Sequence, residues 1–238
     1  MARHIRIVLV EPSHPGNIGA AARAMRTMCL DALVLVHPAR FPDTEASARA
    51  SGALDILRQA RVVDTLGEAL QGCTLVAGTS ARQRDLGPPP LTPRTCAVKL
   101  WQTPPDRDVA LLFGRERTGL TNEELERCHF LVHIPANPEY SSLNLAAAVQ
   151  ILAYELLLAR ASAPAMMDDK ASPASVEEME GLYAHLESAA VASGFLDPQQ
   201  PKHLMRRLRH LYNRAQPDQS EINILRGLLT ALQHARRD

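Results

Sequence analysis

Asn17, Arg23, Arg115, Glu116, Ser142 and Asn144 are the polar side chains of this sequence best placed to do chemistry, because each follows a short apolar run. Asn17 and Arg23 occur in "EPSHPGNIGAAARAM", Arg115 and Glu116 in "FGRERTGLTNEEL", and Ser142 and Asn144 in "IPANPEYSSLNLAAAV". A fourth such turn, "GTSARQR", begins at Gly78. A guanidinium among amides and a carboxylate can grip a phosphate, or an oxygen that is gaining negative charge. Each turn also has an ordinary reading. Gly16 and Gly19 can simply permit a tight turn. Arg23 and Arg26 can lie on a solvated helix face, and Arg115 with Glu116 can be a surface pair of little energetic value. One serine is enough to cap a helix, so Ser141, Ser142 and Asn144 together exceed that need. Four polar, glycine-marked turns at strand ends describe one crevice, the usual ligand position in an open parallel sheet.

Several chemistries are excluded. There is no G-x-G-x-x-G fingerprint, no Walker A sequence, no H-E-x-x-H and no nucleophile elbow. Cys29, Cys73, Cys96 and Cys128 are too far apart for metal-type C-x-x-C spacing and read as buried free thiols. The nine histidines are scattered, so no metal is expected.

The elements that must position these groups alternate. Arg6–Glu11, Ala32–His37, Thr74–Ser80, Val109–Gly114 and Phe130–Pro135 are nearly continuous apolar runs, as in strands buried on both faces of a parallel sheet. Ile18, Ala22, Met25 and Cys29 recur at helical spacing, as do Ala53, Leu57 and Ala60. Thr121 followed by Glu124 is a capping box. This predicts an α/β domain over residues 1–160, with a helix starting near Asn17. Residues 161–175, small, polar and proline-bearing, read as a linker. Residues 176–238 carry three helical patterns and form a small helical C-terminal extension.

The chain of 238 residues has 46% hydrophobic and 22% charged residues, ordinary for a soluble globular protein. Neither a signal segment nor a membrane span is read in it, so a cytoplasmic protein is expected. Formal net charge is zero, but the distribution is uneven. From Lys202 to Asp238 there are eight Lys or Arg against three acids, preceded by an acid-rich stretch from Asp168 to Glu187. A basic tail is often only a solvated face, and is also where a nucleic-acid-binding arm lies.

"NIGAAARAM", "LLFGRERTGLTNEE" and "IPANPEYSSLNLAAAVQILAYE", in that order, resemble the three motifs of the SPOUT-class (SpoU/TrmH-like) RNA 2′-O-methyltransferases. The match runs over about the first 160 residues and is nearest to the bacterial branch acting on cytidine or uridine 32 of tRNA. The resemblance implies a SPOUT fold, with a parallel sheet flanked by helices and a C-terminal trefoil knot. It implies S-adenosylmethionine as cofactor, held by Thr79, Ser80, Ala81, Gly114, Ile134, Ser141, Ser142 and Leu143. It implies methyl transfer to a ribose 2′-oxygen, with Arg23, Asn17, Glu116, Ser142 and Asn144 as the catalytic set and tRNA as substrate. A homodimer with its site near the interface is part of the same expectation. A guanidinium stays protonated, so Arg23 is read as gripping a phosphate or the 2′-oxygen rather than as a base. Arg23, Arg26, Arg82, Arg84 and Arg115 are the expected RNA contacts, and the basic extension is expected to add tRNA affinity. Methylation of another RNA, such as ribosomal RNA, and an RNA-binding chaperone without turnover are the alternatives.

Overall fold

The continuous apolar runs form one parallel sheet. The computed structural model describes residues 5–81, 90–162 and 173–235. Its strands are β1 (Ile5–Val10), β2 (Leu33–Val36), β3 (Arg61–Val63), β4 (Cys73–Thr79), β5 (Pro90–Leu91), β6 (Asp108–Phe113) and β7 (Phe130–Val132). They lie side by side in the order β3-β2-β1-β6-β4-β7-β5, every pair parallel. All carboxyl ends therefore meet at one rim. Glu11, Ser80, Gly114 and His133 each follow directly on a strand there.

Helices α1 (Pro15–Thr27), α2 (Thr44–Ala50), α3 (Leu54–Gln59), α4 (Leu66–Leu70), α5 (Pro93–Gln102), α6 (Asn122–Glu126) and α7 (Leu145–Ser162) cover both faces. Side chains alternate across the pleat. Ile7, Leu9, Leu33, Leu35, Leu111 and Phe113 pack with α1, α2, α3, α5 and α7, through Ile18, Met25, Ile56, Leu100 and Leu152. Val8, Val10, Val34, Val76 and Leu112 face the other way, towards Leu66, Leu70, Leu125 and Cys128. Two buried faces explain why the central strands lack polar alternation. On the first face α1 and α2 approach so closely that a Cβ on Gly19 would lie 2.0 Å from the Ala46 carbonyl oxygen.

Helix α1 begins at Pro15, two residues ahead of Asn17, where His14 caps it by accepting from Gly16 N–H at 3.1 Å. Strands β3 and β5 were not anticipated: both are short and peripheral, Val62 is 50% exposed, and β5 begins with a proline, tolerated at an edge. Cys29 is exposed, in a left-handed conformation (φ 58°) beyond the end of α1, whereas Cys73, Cys96 and Cys128 are buried. Burial pushes the Cys73 and Cys96 thiols up to about 12, which suits inert packing groups.

Beyond the sheet come α8 (Val176–Ala192), α9 (Leu204–Ala215) and α10 (Gln219–Ala235). They share a small core of Ala174, Met179, Leu182, Tyr183 and Ile222. Val176 joins the second sheet core, and Glu177 accepts from Gly72 N–H at 2.9 Å, so this unit lies on the face that carries α4 and α6. Residues 163–172, most of the expected linker, lie outside the described residues. Among the described residues no helix is long and apolar enough to cross a membrane.

Candidate active site

The rim of the sheet is built by three segments that fold against one another. The first follows β1. Pro15 is the first residue of α1, where its missing N–H is harmless. The free N–H groups of this turn are aimed at Glu116, on the loop after β6. Glu116 accepts from Ser13 N–H at 3.0 Å, Ser13 Oγ–H at 2.9 Å, His14 N–H at 3.1 Å and Asn17 Nδ2–H at 3.0 Å. Partial burial works against its charge, but the bonds from Asn17, Ser13 and His14 outweigh it and bring the carboxyl down to about 2. The carboxylate thus occupies the anion-favouring end of α1.

Asn17 ties in the third segment. Its Oδ1 accepts from Asn144 Nδ2–H at 2.9 Å, while Asn144 Oδ1 accepts from Ala146 N–H at 2.9 Å and so caps α7. The chain Glu116–Asn17–Asn144 therefore joins residues about a hundred positions apart. Asn144 is both the helix cap and a member of the site.

The loop after β6 turns back on itself. Arg115 and Gly119 form an antiparallel bridge, with Gly119 at φ 71°. A Cβ on Gly114 would sit 2.2 Å from the Gly119 carbonyl carbon, so only glycine fits there. Arg115 is clamped between two carboxylates. Its Nε–H donates to Glu11 at 2.9 Å and its Nη2 to the other Glu11 oxygen. Glu124 accepts from Nη1 and Nη2, each at 3.0 Å, and the Gly119 carbonyl accepts from Nη1 at 3.5 Å. These contacts lower the Glu11 pKa, the Arg115 hydrogen bond foremost, and raise that of Arg115 through its bonds to Glu11 and Glu124. Arg115 was expected to contact RNA. Every donor nitrogen of its guanidinium already has a protein acceptor.

Beside this network, between the turn after β4, the loop after β6 and the stretch from β7 to α7, lies a cleft of about 350 Å³. Thr79, Ser80, Ala81, Gly114, Ile134, Ser141, Ser142 and Leu143 all line it, together with the 115–120 loop and Val132, Leu145 and Ala148. The eight residues expected to hold a cofactor thus come together from three separate segments. Thr79 Oγ is turned away to the Leu112 carbonyl at 3.0 Å, so the polar side chains of the lining belong to Ser80, Ser141, Ser142 and the 115–118 stretch. Asn137 shapes the approach by accepting from Glu139 N–H at 3.0 Å through its side chain. The mixture of apolar wall and a few placed polar groups, at this size, suits an organic ligand.

Arg23 and Arg26 stand apart. Arg23 is exposed on α1, does not line the cleft, and its side chain has no bonding partner among the described residues. Arg26 pairs with Asp55 at 3.0 Å on the surface. Arg82 and Arg84 lie outside the described residues. Glu11, Ser13 and His14 escaped sequence reasoning. The one signal for them was the run of polar residues directly after the first strand.

The SpoU rRNA Methylase family matches residues 4–154, and the tRNA methyltransferase TrmJ C-terminal domain matches residues 177–238. The chain is 54% identical to the tRNA (cytidine/uridine/adenosine-2'-O-)-methyltransferase TrmJ of Pseudomonas aeruginosa (strain UCBPP-PA14), covering 100% of this chain and 96% of that one. Among solved structures, TrmJ from Z. mobilis ZM4 is similar with TM-score 0.85 and 37% identity, covering 96% of this chain and 99% of that one. The SpoU methyltransferase AviRb from Streptomyces viridochromogenes, solved with the cofactor AdoMet, is similar with TM-score 0.54 and 26% identity, covering 68% of this chain and 62% of that one.

Proposed function

The chain belongs to the SpoU rRNA methylase family, and from that premise we propose that it is a tRNA methyltransferase that uses S-adenosylmethionine to methylate a ribose 2′-oxygen. The observation that carries this is the convergence of all eight expected cofactor residues on one cleft, beside the Glu116–Asn17–Asn144 chain. The target is the cytidine or uridine at position 32 of the anticodon loop. Residues 1–160 form the methyltransferase domain, including the family's trefoil knot, 161–175 a linker, and 176–238 a tRNA-binding extension. The enzyme works in the cytoplasm, as a homodimer and without a metal.

S-adenosylmethionine supplies an already activated methyl group. The chain's own residues bind and orient. Ile134 and Leu143 offer apolar surface for an adenine, and Gly114 lets backbone come close to the ligand. Glu116, Asn17 and Asn144 hold the first turns of α1 and α7 at a fixed mutual position, so the two partners can meet in a reactive arrangement. Arg23 acts from the dimer interface, where its free donors grip a phosphate or stabilise charge developing on the 2′-oxygen. Its exposure outside its own cleft supports that placement, as does the apolar outer row of α7, where Tyr154 is 48% and Leu158 40% exposed.

The test is ribose-methylation mapping across cellular RNA with and without the protein, followed by reconstitution with purified tRNA and S-adenosylmethionine. Loss of 2′-O-methylation at tRNA position 32 is expected, with activity surviving EDTA. A missing mark in ribosomal RNA instead would overturn the tRNA reading. Unchanged methylation everywhere would favour an RNA chaperone.

A further inference from the structure

Asn213 lies outside every motif, in the last turn of α9, yet it is buried at 7% exposure. A buried side-chain amide is costly unless its polar atoms are paired, so its partners matter. Its Oδ1 accepts from Tyr183 Oη–H at 2.7 Å. Its Nδ2 donates to the Glu126 carbonyl at 3.2 Å and the Cys128 carbonyl at 3.4 Å. These two carbonyls belong to the junction where α6 ends and β7 is about to begin. Arg206, also on α9, pairs with the Glu126 carboxylate at 3.3 Å.

That junction joins two walls of the cleft. Upstream, Glu124 on α6 completes the capping box with Thr121 and also holds Arg115, the first residue of the 115–120 wall. Downstream, β7 leads through Val132 to Ile134, both in the opposite wall. One amide from the C-terminal helices therefore rests on the hinge between the two sides of the cofactor cleft. Tyr183 fixes which way that amide faces.

We propose that Asn213 is a positioning residue for methyl transfer, acting through the α6–β7 junction on both walls of the cleft, so that cofactor binding depends on the docking of the C-terminal helices. The proposal rests on the cofactor reading of the cleft given above. It makes the extension part of the catalytic geometry as well as an RNA-binding appendage.

The experiment uses the full-length protein, with S-adenosylmethionine binding by calorimetry and methylation of a tRNA transcript under steady-state conditions. Asn213→Ala is expected to weaken S-adenosylmethionine binding by about 5-fold or more, and to raise its KM more than it lowers kcat. Tyr183→Phe removes only the hydroxyl that orients the amide, so a smaller change in the same direction is expected. In an Arg115→Lys background the Asn213→Ala effect on cofactor affinity should be non-additive, because both act through α6. A folded Asn213→Ala protein with unchanged cofactor affinity and weakened tRNA binding would overturn the proposal, as would strict additivity. If Asn213→Ala does not fold, Tyr183→Phe decides on the same readouts. Wild-type protein that binds no S-adenosylmethionine would overturn the functional reading as well, whereas failure of the variants alone strikes only this inference.

Discussion

At the rim of the sheet, Arg115 donates to Glu11, Glu124 and the Gly119 carbonyl. On the outer surface of α9, Arg207 and Arg214 are exposed and have no bonding partner among the described residues. The same contrast runs within α9, where Arg209 makes a bidentate pair with Glu180 at 2.6 and 2.7 Å and stacks on Tyr183 at 4.4 Å. A clamped guanidinium fixes the geometry of its neighbours and has little left for a phosphate. A free one contributes little to the fold and keeps its planar fork of donors. Arg23 belongs with the free group, although it lies in the first motif and Arg115 in the second. Sequence neighbourhood does not separate the two; their partners do, one guanidinium being clamped and the other free.

The strongest way to break this division is at Arg23. Arg23→Ala and Arg23→Lys are each expected to slow single-turnover methylation by about 10²- to 10³-fold, the cost of losing one aligned donor at a developing charge. Cofactor binding should persist in both. A near-normal rate at saturating enzyme would make Arg23 a docking residue only.

Arg115→Ala tests the opposite class. It leaves Glu11 and Glu124 without their shared cation, and a loss of about 1–3 kcal/mol is expected in denaturant titration, with weaker S-adenosylmethionine binding. The salt dependence of tRNA binding should not change. Full stability with a shallower salt dependence would return Arg115 to the RNA surface.

The smallest effects belong to α9. Arg207→Ala and Arg214→Ala should each weaken tRNA binding uniformly across sequences and reduce the log–log salt slope by about 1, with stability unchanged. Arg209→Ala should instead destabilise the C-terminal helices. Equal behaviour of Arg207 and Arg209 in both assays would erase the distinction.

The central strands were legible because burial on both faces leaves a nearly continuous apolar run, as in IRIVLV over Ile5–Val10 and in DVALLF over Asp108–Phe113. The edge strands were not, since Arg61–Val63 is exposed at Arg61 and Val62 and has only three residues to show a pattern. The residues that line the cleft could be named because the motifs that carry them are contiguous. The partners of Arg115 could not. Glu11 is 104 positions away in sequence, and Glu124 already had a local explanation as a capping-box residue. Asn213 was invisible for the same reason, because its acceptors are main-chain carbonyls and carbonyls leave no mark in a sequence.

The cage around Glu116 also decides how the rim answers to acid. An unfolded chain takes up a proton at this carboxyl near its ordinary 4.5, but the folded rim resists until about 2. Above pH 4.5 both states carry the ionised group and the cage contributes its full stabilisation. As pH falls from there towards about 2, the unfolded state gains a proton that the folded state lacks, and that contribution shrinks until it is lost. Across the neutral range the carboxylate exchanges no proton between the two states. The contribution of Glu116 to holding α1 against the β6 loop is thus the same throughout the neutral range.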